Sequence, residues 1–505
     1  MIDFTPLARP IFNRRIKAAQ SWRGAVELTQ SAQLRQLIAR AKSTLIGERY
    51  GLKSLSTYED FARTVPVVSY EDIRPDVMRM VAGESDILWP GKCMRYAQSS
   101  GTSDGKSKYI PVTDDALYRN HYAGGRDVVA HYLNLNPASR LFSGKSFILG
   151  GSYANELSDL PAGVKVGDLS ANLIDKINPF VNLFRVPSKD VALMADWHKK
   201  LPALVNAAIK EDITNISGVP SWFLTVLRET IKAAGANNIH DVWPNLEVFF
   251  HGGISFEPYR ALYAGLTDPT KMHYLETYNA SEGFFAVQSS WDNKTMLLLL
   301  DIGIFFEFIP LDQVGIPYPE AVPAWKVEQG ETYAIIISSC NGLWRYAIGD
   351  TVTIESVDPL KITIAGRTKH FINAFGEEVM VHNADAALSA ACKATGAEAL
   401  NYTAAPVYDD GGHRGHHQWL IEWLTPPADI EAYADTLDKA LQAVNSDYQA
   451  KRSGNIFLDR LTITDAVPGL FDRWLETTGK LGGQRKVPRL SNDRRIIEQM
   501  LKMNS

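Results

Sequence analysis

The chain has 505 residues, of which 45% are hydrophobic and 22% charged, and its 52 basic and 57 acidic side chains give a formal net charge of −5. A chain of this length and composition folds without disulfides into about two to four domains. The three cysteines form no CxxC pair, which argues against a disulfide scaffold and a structural zinc site, and the acidic balance disfavours a dedicated nucleic-acid binder. These numbers favour a multi-domain enzyme of a reducing, cytoplasmic compartment.

The first 80 residues are predicted to form peripheral helices, with helix-forming residues over 31–46 ahead of Gly47. The N-terminal sequence lacks the apolar segment that a signal peptide needs. The most apolar window, Met296–Pro310, is interrupted by Asp301 and Glu307 and is too short to span a bilayer. No membrane partner is therefore expected.

From Met94 onward the pattern changes to alternating strands and helices. Short apolar runs predict buried strands at residues 146–150, 246–250, 296–300 and 333–337, and a helical pattern covers residues 190–211. This alternation is typical of an α/β fold whose sheets are covered by helices.

A second, smaller unit is predicted to begin near Ala365. Apolar residues at helical spacing predict an amphipathic helix over residues 430–450. The tail, residues 451–505, carries eleven Lys or Arg against six Asp or Glu, although the whole chain is acidic. Two interpretations stay open here: a solvated helical face, or a surface that meets phosphates.

The strongest local signal is the segment Ser99–Lys108, with the sequence SSGTSDGKSK. Small hydroxyl and glycine residues let a loop wrap closely around an anion, and the lysine adds positive charge. An ordinary surface turn rich in Ser and Gly has the same composition. The part that looks like a Walker A loop, GTSDGKS, has three residues rather than four between its Gly and the GK pair, which disfavours a P-loop NTPase.

Two further segments carry groups suited to a nucleotide. Tyr278–Glu282 (YNASE) places an aromatic ring, a hydroxyl and a carboxylate within five residues, which can stack a base, touch a phosphate and hold Mg²⁺. Leu343–Asp350 (LWRYAIGD) ends in a Gly-Asp pair, and such an acid can accept hydrogen bonds from a ribose diol. Each segment alone is also common on a protein surface.

In this order, the patterns SSGTSxGxxK, YxxSE and RYxxGD resemble the adenylate-forming superfamily that includes firefly luciferase. Within it, the sequence is similar to the acyl-acid amido synthetases of the auxin-responsive Gretchen Hagen family and their bacterial relatives. The segments HGGI (251–254), FFEFIP (305–310), GRTKHFINAFGEEV (366–379) and GQRKVPR (483–489) extend the similarity from about residue 60 to the C-terminus, with Arg485 where the family usually has Tyr.

The resemblance implies a large N-terminal domain of packed β-sheets and helices, residues 1–365, followed by a small mobile α+β lid, residues 366–505, with a hinge at 365–370. It also implies a two-step ligase that uses ATP and Mg²⁺. A carboxylic acid would be activated as an acyl-adenylate, and the amine of an amino acid would then displace AMP. A coenzyme A ligase with the same first step, or a non-catalytic relative, remain as alternatives.

The resemblance also assigns roles to individual residues. Glu282 would ligate Mg²⁺ and act in catalysis together with Lys486, the lysine of the mobile domain. Tyr278 would face the adenine, Ser281 the α-phosphate and Asp350 the ribose. The full ATP-binding set is Ser99, Ser100, Gly101, Thr102, Ser103, Lys108, Gly252, Gly253, Tyr278, Ser281, Asp350 and Arg367.

Recognition of the acyl acid is harder to predict. A carboxylate needs a cation, and Arg126, on the helical segment after the phosphate loop, is the candidate, although a solvated helix arginine is an equal alternative. The segment VPSWF (219–223) would wall the acid or belong to the core. The run HRGHH (413–417) is compatible with a metal site, but its Gly-rich setting favours an ordinary loop.

Overall fold

The computed structural model describes residues 2–99, 107–155, 157, 159–253, 256, 259–291, 293–314, 316, 318–367, 371–372, 377, 379–408, 415–445, 448–449, 452, 458–478, 486–491 and 493–504. The α-helices are α1 Thr5–Gln20, α2 Val26–Ala41, α3 Leu45–Arg49, α4 Tyr58–Thr64, α5 Tyr70–Val81, α6 Tyr122–Leu135, α7 Leu169–Lys176, α8 Pro179–Asn182, α9 Lys189–Ala192, α10 Trp197–Ala208, α11 Pro220–Ala234, α12 Ile239–Val242, α13 Arg260–Leu266, α14 Val381–Thr395, α15 Ile430–Val444, α16 Leu470–Thr477 and α17 Arg495–Lys502.

The strands are β1 Arg95–Ser99, β2 Lys108–Pro111, β3 Lys145–Ile148, β4 Lys165–Gly167, β5 Arg185–Val186, β6 Ile213–Gly218, β7 Val248–Gly252, β8 His273–Ala280, β9 Gly283–Gln288, β10 Met296–Leu298, β11 Ile304–Pro310, β12 Val322–Pro323, β13 Thr332–Ser339, β14 Tyr346–Val357, β15 Leu360–Arg367, β16 Phe371–Ile372, β17 Val379–Met380, β18 Glu398–Tyr408, β19 Gly415–Thr425 and β20 Thr462–Ala466.

The largest sheet of the described chain has twelve strands in the order β12-β11-β13-β14-β15-β10-β9-β8-β7-β6-β3-β5. The half that contains β5, β3, β6, β7 and β8 is parallel, and the other half is antiparallel. Parallel strands end at the same edge of a sheet, and ligands of α/β proteins bind outside that edge. Strands β1, β2 and β4 form a separate small sheet.

The N-terminal helices were expected at the periphery, and this expectation is wrong for their inner faces. Leu34, Leu37 and Phe61 are buried in the main hydrophobic core. The side chain of Gln30, also buried, donates to Leu300 O at 2.7 Å and accepts from Phe306 N at 2.8 Å. A polar side chain that satisfies buried backbone groups in this way joins α2 to the large sheet.

The helix predicted over 31–46 is divided in the structure. Helix α2 ends at Ala41, and α3 contains Gly47 rather than ending before it. A Cβ at residue 47 would lie 2.2 Å from Ala41 O, so only glycine allows the two helices to approach so closely.

The four predicted strands are confirmed as β3, β7, β10 and β13, with ends that differ by at most two residues. The helical pattern over 190–211 also forms helix, but as the two pieces α9 and α10. Helix α10 contains Pro202 in its interior.

The C-terminal part forms its own layer of helices on a sheet. Strands β18, β19 and β20 make a three-stranded sheet, and α14 and α15 pack together on it. The helix predicted over 430–450 is α15, and its buried residues Tyr433, Leu437 and Leu441 lie in a core separate from the main one. The expected α/β architecture, a large N-terminal sheet domain followed by a C-terminal α+β part, is confirmed.

Within the described residues, no helix has the length and apolarity that a membrane crossing requires. All three cysteines are free thiols, with Cys93 and Cys340 buried and Cys392 half-buried.

Candidate active site

The site is built at the carboxyl edge of the parallel half of the large sheet. Strand β7 ends at Gly252, which lies opposite Thr277 of β8. A Cβ at Gly252 would come within 2.5 Å of Thr277 O, so the two chains are in close contact there. Strand β8 carries Tyr278 near its end, and the turn to β9 carries Ser281, which is half-buried, and Glu282.

Tyr278 and Asp350 meet although 72 residues separate them. The hydroxyl of Tyr278 donates a hydrogen bond to Oδ2 of Asp350 at 2.7 Å, and both residues are buried. Gly349, with φ of +92°, lies within β14 where the register between β13 and β14 shifts, just before Asp350. Asp350 in turn lies opposite Arg367 in the β14–β15 ladder.

The turn that carries Glu282 is held by two buried asparagines. Asn341 donates from its side-chain amide to the backbone oxygen of Glu282 at 3.0 Å. Asn120 accepts from Phe284 N at 2.7 Å and donates to Phe284 O at 3.1 Å. These contacts fix the backbone on both sides of Gly283, so the backbone position of Glu282 is determined by residues far away in the sequence.

The two ends of the predicted phosphate loop are paired with each other. Ser99, the last residue of β1, lies opposite Lys108, the first residue of β2. Lys108 donates to the hydroxyl of Tyr346 at 3.2 Å, four residues before Asp350. Ser107 accepts from Gln98 at 2.9 Å. Four predicted loop residues, Ser100, Gly101, Thr102 and Ser103, lie outside the described residues.

The C-terminal part reaches this site through Lys486, whose ammonium group donates to the backbone oxygen of Gly253. Gly253 has φ of +79°, and a Cβ there would lie 3.4 Å from Lys486 Nζ. Glycine at this position therefore leaves room for the lysine. Arg485, the departure from the usual motif, lies outside the described residues.

His251 precedes the two glycines and is buried. Its ring stacks on Phe256 with 4.3 Å between ring centroids, and its Nδ1 has no hydrogen-bond partner among the residues that the structure describes. Burial lowers the pKa of His251 to about 3, so the imidazole is neutral at physiological pH. It contributes no charge to the site.

Of the residues considered for acyl-acid binding, Val219 of the segment VPSWF lies beside the site, since a Cβ at Gly253 would come within 3.7 Å of its Cγ2. Arg126 is exposed on α6. In the segment VPSWF, Phe223 is fully buried in a core cluster, and Trp222 packs edge-on against Trp197 at 4.5 Å. The acyl role of Arg126 stays a prediction.

No group of three or more metal-ligating side chains occurs among the residues that the structure describes. In the histidine run, His417 is buried on β19 and its Nε2 lies 2.8 Å from Glu377 Oε1, while His413 and Arg414 lie outside the described range. The buried contact between His417 and Glu377 is therefore a structural interaction within the C-terminal part.

Several residues that shape the site were not identified from the sequence. Asn120 and Asn341 belong to no motif, and their partners lie 164 and 59 residues away. Arg345 of the RYxxGD pattern forms a buried ion pair with Glu307, at 2.9 Å, and has φ of +42°. The sequence signal for this ion pair was Glu307, an acidic residue within an otherwise apolar predicted strand. A buried carboxylate of this kind requires a partner.

The fold is shared with enzymes that form acyl-adenylates. A solved structure of the GH3.15 acyl acid amido synthetase in complex with 2,4-DB aligns with a TM-score of 0.78 at 18% identity, covering 100% of this chain and 97% of that one. A 2-hydroxyisobutyryl-CoA ligase in its postadenylation state aligns with a TM-score of 0.61 at 12% identity, covering 94% and 91%. The architecture is thus that of the adenylate-forming enzymes.

The chain belongs to the GH3 family. Residues 15–272 match the GH3 family N-terminal domain, residues 297–367 the central domain and residues 382–495 the C-terminal domain. An indole-3-acetic acid-amido synthetase, GH3.3 of Arabidopsis thaliana, is 23% identical over 94% of this chain and 91% of its own length. A jasmonoyl–L-amino acid synthetase, GH3.5 of Oryza sativa subsp. japonica, is 25% identical over 64% and 67%. The resemblance inferred from the motifs is confirmed.

Proposed function

We propose that this protein activates a carboxylic acid with ATP and transfers the acyl group to the amine of an amino acid. One grouping carries the proposal: Tyr278 bonded to Asp350, the turn with Glu282 directly after Tyr278, and Lys486 on Gly253. Two relatives support the same chemistry, since one is an indole-3-acetic acid-amido synthetase and the other a jasmonoyl–L-amino acid synthetase.

In the first step, a carboxylate oxygen of the acid attacks the α-phosphorus of ATP and pyrophosphate leaves. The chain contributes mainly positioning and stabilisation of negative charge. Asp350 would hold the ribose and Tyr278 the adenine, while Ser99, Lys108 and the loop between them would bind phosphate oxygens. Lys486 would bring a positive charge to the α-phosphate.

Magnesium is part of the proposal, and the residues present fit it. Mg²⁺ is usually held by one or two carboxylates together with substrate phosphates, which needs no cluster of protein ligands. Glu282 is a buried carboxyl group whose backbone is fixed by Asn341, and it would be the protein ligand. When bound, Mg²⁺ would neutralise charge on the phosphate oxygens.

In the second step, the amine attacks the carbonyl carbon of the acyl-adenylate, the bond to the phosphate oxygen breaks, and AMP leaves with its electron pair. We further propose that residues 366–505 act as a mobile lid, with Arg367 at its boundary helping to hold the ribose. We also propose a cytoplasmic setting for the protein, because its cysteines are free thiols.

The experiment is acid-dependent exchange of labelled pyrophosphate into ATP over a panel of aromatic, alicyclic and aliphatic acids. The active acid is then combined with each of the twenty amino acids or with coenzyme A, and AMP release is measured. Exchange followed by release that needs an amino acid is the expected result. Release that needs coenzyme A would support a thioester ligase instead, and absence of exchange with every acid would contradict the proposal.

A further inference from the structure

Strands β8 and β14, which carry Tyr278 and Asp350, are not neighbours in the large sheet. The order β14-β15-β10-β9-β8 separates them by four strand-to-strand steps. At about 4.8 Å per step, a flat sheet would hold them roughly 19 Å apart. The observed distance between Tyr278 Oη and Asp350 Oδ2 is 2.7 Å, so the reach of the two side chains and the twist and curvature of the sheet together close this gap.

The bond is buried at both ends, with Tyr278 4% and Asp350 6% exposed. A phenol that donates to a carboxylate forms a charge-assisted hydrogen bond, which is stronger than a bond between neutral groups. With Oδ2 held, rotation of the carboxylate about its Cβ–Cγ bond is restricted. The plane of the Asp350 carboxylate is therefore determined by a residue on the opposite half of the sheet.

We propose that the hydroxyl of Tyr278 is a positioning group that aims the Asp350 carboxylate at the ribose diol and so makes the site selective for ribonucleotides over deoxyribonucleotides. The inference rests on the proposed function, because it takes Asp350 as the ribose acceptor. A carboxylate can accept hydrogen bonds from both ribose hydroxyls only in one orientation. Without the tyrosine hydroxyl, the Asp350 carboxylate would also occupy other orientations, which would weaken binding of the diol.

The hydroxyl and the ring of Tyr278 can be tested separately. The ring packs against Phe285 with 4.8 Å between centroids, so Tyr278→Phe removes the donor and leaves the ring in its place. Tyr263→Phe is the matched control, because Tyr263 is fully buried and donates to Pro220 O at the same 2.7 Å, on α13 rather than in the site.

The experiment measures equilibrium binding of ATP, 2′-deoxy-ATP and 3′-deoxy-ATP by calorimetry, with the full-length protein. We expect the wild type to bind ATP about tenfold more tightly than the deoxy analogues, and Tyr278→Phe to weaken ATP binding about five- to tenfold while changing deoxy-ATP binding less than about twofold. Tyr263→Phe should keep the wild-type preference. In pyrophosphate exchange, KM for ATP should rise in Tyr278→Phe with little change in kcat.

A double-mutant cycle tests whether the hydroxyl acts through Asp350. Asp350→Asn alone should abolish the preference for ribose, and adding Tyr278→Phe to it should change ATP affinity less than about twofold. Equal weakening of all three nucleotides in Tyr278→Phe, or an unchanged preference, would overturn the inference. Failure of the wild type to bind any of them would reject the proposed function itself, and this inference with it.

Discussion

Glu282 is the residue on which the proposed chemistry depends most directly. Replacing its carboxylate with the isosteric amide, in Glu282→Gln, removes the charge that would hold Mg²⁺ but keeps the turn. We expect a loss of about 100-fold or more in pyrophosphate exchange, because stabilisation of the developing phosphate charge is lost. Exchange is measured over a range of Mg²⁺ concentrations.

The matched control for Glu282 is Glu331→Gln, which changes an exposed glutamate in the turn before β13. It should retain wild-type exchange. Both variants should unfold at the temperature of the wild type. A Glu282→Gln protein that is folded and fully active would show that the metal assignment is wrong.

The residues proposed for the chemistry could be predicted from the sequence because the proposed reaction would demand particular residue types in a short span. The patterns YxxSE and RYxxGD were enough to predict Tyr278, Glu282 and Asp350 as site residues. Asn120 and Asn341 could not be found in this way, since a buried asparagine that bonds to backbone 164 or 59 residues away leaves no local pattern. The hydrogen bond between Tyr278 and Asp350 likewise depends on the curvature of the sheet, which strand patterns do not encode.

At the scale of elements, Arg15 is one of several residues that join α1 to the rest of the molecule, together with Arg9, which donates to Leu133 O, and Thr5, which accepts from Phe142 N. Arg15 pairs with Asp127 of α6 and with Asp301, both at 2.5 Å. Asp127 is buried, and this burial raises the pKa of its carboxyl group although Arg15 acts in the opposite direction. The ion pair thus offsets the cost of burying the Asp127 carboxylate where α1 packs against α6.

We expect Arg15→Met to destabilise the protein by about 3–5 kcal/mol, because it leaves a buried carboxylate without its partner. The midpoint of urea denaturation measures the stability, and hydrogen exchange of the α1 amides shows where it is lost. Arg14→Met, an exposed neighbour on the same helix, should change neither. Equal exchange protection of α1 in both variants would contradict the role of Arg15.

Helices and strands were predicted well where the periodicity of apolar residues alone determines them. They were predicted poorly where their ends and buried faces depend on tertiary packing. Four apolar runs became strands, and α15 formed where the helical spacing indicated it. The break between α2 and α3 was missed because it depends on the close approach of Gly47 to Ala41, which only the assembled core requires. The inner faces of the N-terminal helices were missed for the same reason.

For the whole molecule, the contact of Lys486 with Gly253 leads to a prediction about the two half-reactions. Lys486→Ala should slow pyrophosphate exchange about 100-fold or more, since the positive charge that we propose for the α-phosphate would be lost. Transfer from a chemically prepared acyl-adenylate to the amino acid should change less than about threefold, because that step does not need this charge. The two steps are measured separately.

Lys502→Ala, on the exposed face of α17, is the control and should leave both half-reactions unchanged. Equal slowing of both steps in Lys486→Ala would mean that the lysine supports the fold of the C-terminal part rather than adenylation.

Three buried histidines should make the whole fold sensitive to acid. Burial lowers the pKa of His121 and His131 to about 4 and that of His251 to about 3. Between pH 6.5 and 4 the unfolded chain therefore binds protons that the folded chain does not, and stability falls as the pH is lowered. From pH 7.0 to 5.5 we expect these groups to cost about 4 kcal/mol together.

Urea denaturation at pH 7.0, 6.0 and 5.5 measures this loss. His131→Gln removes one of the three groups and should reduce the pH dependence by about a third. A free energy of unfolding that is constant over this range would contradict the assignment of neutral, buried imidazoles.

The hydrogen bonds of Gln30 have a consequence for synthesis on the ribosome. Its partners, Leu300 and Phe306, are 270 and 276 residues further along the chain. At about 5–20 residues per second, translation takes roughly 15 to 55 s to produce them. During that interval the apolar face of α2 has left the ribosome without the strands that bury it. Nascent chains of this protein should therefore depend on chaperones for longer than a protein whose first helices pack against their immediate neighbours.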